Sequence, residues 1–322
     1  MNNILLFSHK SDIDGMGDVI LSKLAFENID YILCTNVYTL NKRIQEEYNK
    51  GNLYKYEKIY ITDLSLKKEM ANTLFNDKEL NNKIYIFDHH ETAIEEGLLK
   101  YPNCNIQIKD KKTTYCATQI FYNYLIKEKY LKYNQMLEEF IELVRREDTY
   151  DWKKLGDIKA HDLAILYNSI GPEKYIQRIY NKLLSSYNNK DIIKNIENHF
   201  EFTAEEKEII NNKKADIKEK IEKYTKYLKQ ETIENIKVEI CFIEYEYRND
   251  IADYLIENNK NNCDIVMMIA MDNDQISLRS LKENNYPRII AEEYGGGGHD
   301  RAAAIPITDQ IKEKIIESIL YN

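Results

Sequence analysis

Three short apolar runs in the first ninety residues each stop at a group of acids and histidines. Ile4-Leu5-Leu6-Phe7 leads into His9-Lys10-Ser11-Asp12-Ile13-Asp14-Gly15, Ile59-Tyr60-Ile61 into Thr62-Asp63, and Ile84-Tyr85-Ile86-Phe87 into Asp88-His89-His90. Runs this short and this uniformly apolar read as strands buried on both faces. Helical patterns lie between and after them. Leu21, Leu24 and Ala25 share a face of a helix beginning near Met16, residues 67–75 read as another, and residues 115–127 and 135–146 as two more. Strands alternating with helices imply a mostly parallel sheet flanked by helices. In such a sheet the loops at the carboxyl ends of neighbouring strands converge on one crevice. A fourth acidic segment, Arg146-Glu147-Asp148-Thr149, follows the helical pattern that ends there. Clustered carboxylates repel one another unless cations sit between them, so the four segments together read as a metal site.

The second half of the chain differs. Pro172 opens a long, charged, helical stretch over 171–234, read as a linker of solvated helices between domains. From about residue 236 strand patterns return: 238–243, 265–270 and 275–280, with helices over 250–258 and 287–293 and a turn at Asn273-Asp274. The expected organisation is α/β throughout: a catalytic domain over 1–170, a helical linker over 171–234, and a smaller α/β substrate domain over 235–322.

At 322 residues the chain is long enough for two cores. Its net charge of −9 argues against wrapping a long polyanion, since nonspecific nucleic-acid binding needs a basic surface. A long duplex partner is therefore not expected, whereas a short phosphate ligand held by metals and a few local cations is. The five cysteines have no paired spacing and read as free thiols of a reducing cytosol. No apolar stretch is long enough to span a membrane, and the amino terminus enters a strand directly, so a cytoplasmic location is expected.

The four acidic segments, in this order, resemble the metal-binding motifs of the DHH phosphoesterases, with Asp88-His89-His90 matching the family's signature. Downstream, Gly295-Gly296-Gly297-Gly298-His299 followed by Ala302-Ala303-Ala304 resembles the glycine-rich signature of the DHH-associated substrate domain. The likeness spans nearly the whole chain and is nearer to the small nanoRNases than to the larger RecJ exonucleases. It implies that one metal takes His9, Asp12 and a bridging Asp63, and that a second takes Asp14, the same Asp63, His89 and Asp148. Two cations about 3.5–4 Å apart bind the attacking and leaving oxygens of an in-line phosphoryl displacement. Mixed carboxylate and imidazole ligands suit manganese, with magnesium the alternative that two histidines favour less. Asp88 is expected to orient a histidine, and His90 to contact the scissile phosphate or protonate the leaving oxygen. Asp151 is a second candidate beside Asp148, the latter preferred because Asp-Thr matches the motif. Arg145 and Arg146 read as paired with acids. Trp152 reads as core packing before base stacking, and His161 and His199 as structural.

In the substrate domain, Gly296, Gly297 and Gly298 offer backbone N–H groups, and Arg279, Ser280 and His299 a cation, a hydroxyl and an imidazole, for a terminal phosphate or ribose. The function expected is hydrolysis of short oligoribonucleotides to mononucleotides. The alternatives are a phosphodiesterase of cyclic or linear dinucleotides, a RecJ-like single-strand exonuclease, and a non-catalytic nucleotide-binding module. Oligomeric state is left open, a homodimer included.

Overall fold

The apolar runs become the centre of a five-stranded parallel sheet. In the computed structural model, which describes residues 3–188, 199–259 and 262–320, the chain divides into two compact units, Met1–Ile210 and Asn211–Asn322. The first unit runs β1 (Ile4–His9), α1 (Ile13–Ala25), β2 (Ile29–Cys34), α2 (Val37–Asn49), β3 (Lys58–Thr62), α3 (Lys68–Asn76), β4 (Ile84–Asp88), α4 (Glu91–Glu95), β5 (Cys104–Ile106), α5 (Ala117–Lys127), α6 (Gln135–Asp148), α7 (Asp151–Leu155), α8 (Ile158–Ile170) and α9 (Pro172–Asn188). The strand order is β2-β1-β3-β4-β5, all parallel. The chain leaves β1 in one direction to form β2 and returns on the other side to form β3. That reversal creates a switch point, where crevices open in sheets of this order.

Alternation along each strand explains why the runs are apolar at every position. Ile4, Leu6, Tyr60 and Phe87 face a core built with α1, α5, α6, α8 and α9, while Leu5, Phe7, Ile59, Ile61, Ile84 and Ile86 face a second core built with α2 and α3. With both faces covered, a polar residue in mid-strand would lose water without gaining a partner. Polar groups therefore collect at the strand ends, and the carboxyl ends of the adjacent β1, β3 and β4 carry the acids and histidines.

The stretch expected as a linker is divided between the units. Tyr175, Ile176, Ile179 and Leu183 of α9 are buried in the first unit's core, so this helix is an integral layer rather than a solvated connector. Its apolar residues recur at helical spacing on one face, and burying that stripe outweighs the solubility of the charged face. The next helix, α10 (Ala204–Thr225), carries the division, and its Tyr224 belongs to a core of the second unit.

The second unit continues β6 (Lys229–Ile233), β7 (Ile236–Phe242), α11 (Arg248–Glu257), β8 (Ile265–Ala270), β9 (Gln275–Ser280), α12 (Tyr286–Glu293), β10 (Gly297–His299), β11 (Ala302–Pro306) and α13 (Asp309–Leu320). Its six-stranded sheet has the order β10-β11-β9-β8-β7-β6 and is antiparallel except for β7 with β8. The glycine-rich stretch, read from sequence as an open loop, pairs as strand β10 with β11, Gly297 opposite Ala304 and His299 opposite Ala302. A Cβ on Gly296 would stand 2.0 Å from the Ala304 carbonyl oxygen, so this glycine permits close backbone approach. No helix among the described residues is long and apolar enough to cross a membrane.

Candidate metal centre

The first motif is a tight bend held by its own residues. Asp12 caps α1, accepting a hydrogen bond from Gly15 N at 3.1 Å, and its other oxygen reaches His9 Nδ1 at 2.7 Å. Gly15 is required by space: a Cβ there would lie 2.0 Å from the His9 carbonyl oxygen. Asp14 turns into the protein, fully buried, and is held from far along the chain. The first two backbone N–H groups of α5, those of Ala117 and Thr118, donate to its carboxylate at 2.7 and 2.8 Å, and the Thr118 hydroxyl donates to its carbonyl at 2.6 Å. A helix amino terminus presents unpaired donors, so it fixes the orientation of this acid.

Asp63 follows β3 with a left-handed backbone, φ 57°, unusual for a residue with a side chain. Its Oδ1 stands 3.3 Å from His89 Nε2 and its Oδ2 3.3 Å from His9 Nδ1. Around His89 Nε2, Asp14 Oδ2 lies at 3.7 Å and Asp148 Oδ2 at 3.6 Å. Two donor groups result, His9 with Asp12 and Asp63, and Asp14 with His89 and Asp148, each with ligand atoms within 4.8 Å of one another. All six residues singled out as ligands in the sequence are thus brought together. Of the two acids after Arg146, Asp148 is the one at this centre. Asp151 instead accepts from Arg145 at 2.8 Å and Lys154 at 3.0 Å.

Asp63, Asp88, His89 and His90 form a third such group, but the Asp88 carboxylate is already committed. It accepts from the Ser65 hydroxyl, from His89 N at 2.7 Å and His90 N at 3.2 Å, and pairs with His90 Nδ1 at 2.7 Å. It is fully buried, whereas the His90 side chain is 48% exposed. The Asp88 carboxylate therefore holds the His90 ring by Nδ1.

Electrostatics match the geometry. Burial disfavours charge on His9, but the carboxylates of Asp12 and Asp63 outweigh it and push the pKa up to about 11. Burial also disfavours charge on His89, and Asp63, Asp148 and Asp14 push it up to about 11. Burial and the neighbouring carboxylates push Asp63 up to about 6 and hold Asp148 well above the usual range. The acids draw positive charge onto the imidazoles, and a dication taken by the same atoms would displace those protons. Asp63 Oδ2 and Asp148 Oδ2 are buried without a hydrogen-bond partner. Oxygen and imidazole donors with unpartnered carboxylate oxygens fit hard to borderline divalent cations.

Other assignments separate. Arg145 pairs with Glu142 at 2.7 Å as well as Asp151, and Arg146 with Glu142 at 2.8 Å and Asp157 at 2.6 Å. Trp152 stacks on His161, centroids 4.2 Å apart, against the first core. In the second unit, Ala302 pairs with both His299 and Arg279, so the three backbone positions form one row across β10, β11 and β9. Arg279 reaches Asn249 at 3.1 Å. Ser280 departs from its expected role: it is buried, and its hydroxyl bonds Asn284 at 2.6 Å, closing the turn after β9. The side chain of His299 lies outside the described residues. Ser65, Thr118 and Tyr167, whose hydroxyl donates to the Lys10 carbonyl in the first motif, were not marked by the sequence. Thr118 and Tyr167 hold their motifs from segments outside the four acidic ones, whereas Ser65 reaches Asp88 from two positions after Asp63.

This chain shares its fold with a DHH domain and with exonuclease RecJ. It is 28% identical over 318 residues to oligoribonuclease NrnB of Bacillus subtilis strain 168, spanning 97% of this chain and 74% of that protein. Among solved structures, a pGpG-specific phosphodiesterase, PggH of Vibrio cholerae, superimposes with a TM-score of 0.53 at 15% identity, covering 99% of this chain and 98% of the other. Exonuclease RecJ bound to manganese superimposes with a TM-score of 0.53 at 12% identity, covering 98% and 89%. No family model matches the chain.

Proposed function

We propose that this protein is a metal-dependent phosphodiesterase that hydrolyses short oligoribonucleotides to mononucleotides with two divalent cations, manganese favoured over magnesium. The observation that carries this is Asp63, one carboxylate with an oxygen toward each of two donor groups. A shared carboxylate between two such groups is the arrangement a two-metal phosphoryl-transfer centre requires. His9, Asp12 and Asp63 would hold one cation, and Asp14, Asp63, His89 and Asp148 the other. When bound, the cations supply Lewis acidity toward the phosphate and acidify the attacking water.

The chain's own residues supply the rest. The α5 amino terminus keeps Asp14 oriented. Asp88 holds His90 by Nδ1, leaving Nε2 to carry a proton to the leaving oxygen. Arg279 and the backbone of Gly297 and Gly298 are assigned to one end of the substrate; the Gly296 N–H is not, since it already donates to the Ala291 carbonyl at 2.7 Å. The net charge of −9 offers no extended track for a long strand. Similarity to an oligoribonuclease over nearly the full chain supports the short-RNA reading.

The test is a panel of labelled RNA dinucleotide and pentanucleotide, a cyclic dinucleotide and a long single strand, with manganese at matched salt. Faster turnover of the two- to five-residue RNAs is expected. Equal or faster processive digestion of the long strand would replace the proposal with a RecJ-like exonuclease. Exclusive cleavage of the cyclic dinucleotide would replace it with a signalling phosphodiesterase.

A further inference from the structure

The bend that joins His9 to Asp12 lies open to solvent. Lys10 and Ser11 are exposed, and the Asp12 side chain is 37% exposed where that of Asp14 is buried. Packing alone therefore does not set the shape of this donor group, and its hydrogen bonds carry more of the task.

One side of the bend is tied to the end of β2. Lys10 N donates to the Cys34 carbonyl at 2.8 Å, and His9 Nε2 lies 3.3 Å from the Thr35 carbonyl. A carbonyl only accepts, so Nε2 carries the proton of that contact, and Nδ1 is the nitrogen turned toward Asp12 and Asp63.

The other side is tied to a helix far along the chain. Tyr167 of α8 donates its hydroxyl to the Lys10 carbonyl, across 157 positions of sequence. Lys10 is thus held by both of its backbone polar groups, the N–H from β2 and the carbonyl from α8, and only Ser11 separates it from Asp12. The Tyr167 ring is buried and stands edge-on to that of Tyr175 on α9, centroids 5.4 Å apart, and Tyr175 is fully buried in the first core. Close packing of the two rings fixes where the Tyr167 hydroxyl points.

The second donor group is tied elsewhere. Thr118 of α5 donates its hydroxyl to the Asp14 carbonyl at 2.6 Å. A Cβ on Gly17 would stand 2.4 Å from that hydroxyl oxygen, so a glycine lets α1 and α5 meet there.

We propose that Tyr167 is a positioning residue for one cation only. Its hydroxyl clamps the Lys10 peptide and so sets the spacing of His9 and Asp12, while the group of Asp14, His89 and Asp148 is held from α5 and does not depend on it. The division between two cations rests on the functional reading above, whereas the clamp itself does not.

Two measurements test this, one of them without metal. In metal-free protein, with imidazole NMR resonances assigned by His9→Gln and His89→Gln, Tyr167→Phe should displace the His9 resonances and leave those of His89 in place. In calorimetric manganese titrations the same variant should lose about tenfold in affinity at one site, the size of effect expected behind a metal ligand, and stay within about twofold at the other. Tyr175→Phe removes a hydroxyl that is buried without a hydrogen-bond partner, and should keep both affinities and both sets of resonances. Combined with Asp12→Asn, Tyr167→Phe should cost little more, and combined with Asp148→Asn it should cost its full tenfold. Equal losses at both sites, no loss at either, full additivity with Asp12→Asn, or unmoved His9 resonances would each overturn the proposal. If wild type binds fewer than two ions, the functional reading fails while the imidazole resonances still decide the role of Tyr167.

Discussion

Asp88 Oδ1 holds His90 Nδ1 at 2.7 Å, and this pairing leaves the other imidazole nitrogen on a half-exposed side chain. If that nitrogen protonates the leaving oxygen, His90→Asn should lower kcat on a dinucleotide by about 10²–10⁴. Manganese content should be unchanged. The same variant should act nearly like wild type on a nucleotide p-nitrophenyl ester, whose leaving group departs without a proton. Comparing kcat on the two substrates checks this, and an equal loss on both removes His90 from the role of acid.

Asp63 faces both donor groups, so Asp63→Asn should abolish turnover and reduce manganese binding in both, while Asp12→Asn and Asp148→Asn should each weaken one. Calorimetric stoichiometry on the three variants measures this. Retention of two tightly bound ions by Asp63→Asn would refute the bridging assignment.

Adjacent glycines in the second unit should behave oppositely. A Cβ on Gly296 would meet the Ala304 carbonyl oxygen at 2.0 Å, while one on Gly297 meets nothing within 4 Å. Gly296→Ala is expected to destabilise by at least about 2 kcal/mol through forced strand separation. Gly297→Ala should be neutral or stabilise by up to about 1 kcal/mol by restricting the unfolded chain. Chemical denaturation of the pair reads out the difference.

The pairing of Arg145 with Glu142 and Asp151 gives a pH dependence with a definite sign. Burial would raise the Glu142 pKa, but Arg145 and Arg146 outweigh it and lower it. Arg145 first, then Lys154, lower that of Asp151. A carboxyl depressed on folding contributes its full stability above its unfolded pKa, near 4. The contribution is lost as pH falls through the folded value. Arg145→Met should therefore cost roughly 2 kcal/mol near pH 7 and show a shallower acid-side decline than wild type. Denaturation series from pH 7 to pH 3 would show it, and parallel curves would contradict it.

The strands that present the ligands could be read from sequence because double burial forces them to be apolar throughout, and their ends because water-loving groups have nowhere else to go. The contact between Asp88 and His90 was also legible, from adjacency. What packs against a motif was not. Ala117 and Thr118 stabilise Asp14 through backbone N–H groups, which every residue type except proline carries. Ser65 acts through a hydroxyl that any surface loop also has. The helix α2 buries only Leu40 and Ile44 and left too thin an apolar stripe to mark it. The glycines of β10 read as a loop because the side-chain pattern that announces a strand is missing where backbones meet closely. Ser280 looked free beside Arg279, and only the turn to Asn284 shows its hydroxyl already engaged.

The contact from α5 to Asp14 spans 103 and 104 positions of sequence, and Asp148 arrives later still. A growing polypeptide that has released its first four parallel strands from the ribosome possesses His9, Asp63 and His89, but nothing yet to clasp Asp14. Competence is deferred until more than 140 residues have emerged and docked. The order of synthesis thus leaves an early nascent chain with an unfinished cage of donor atoms.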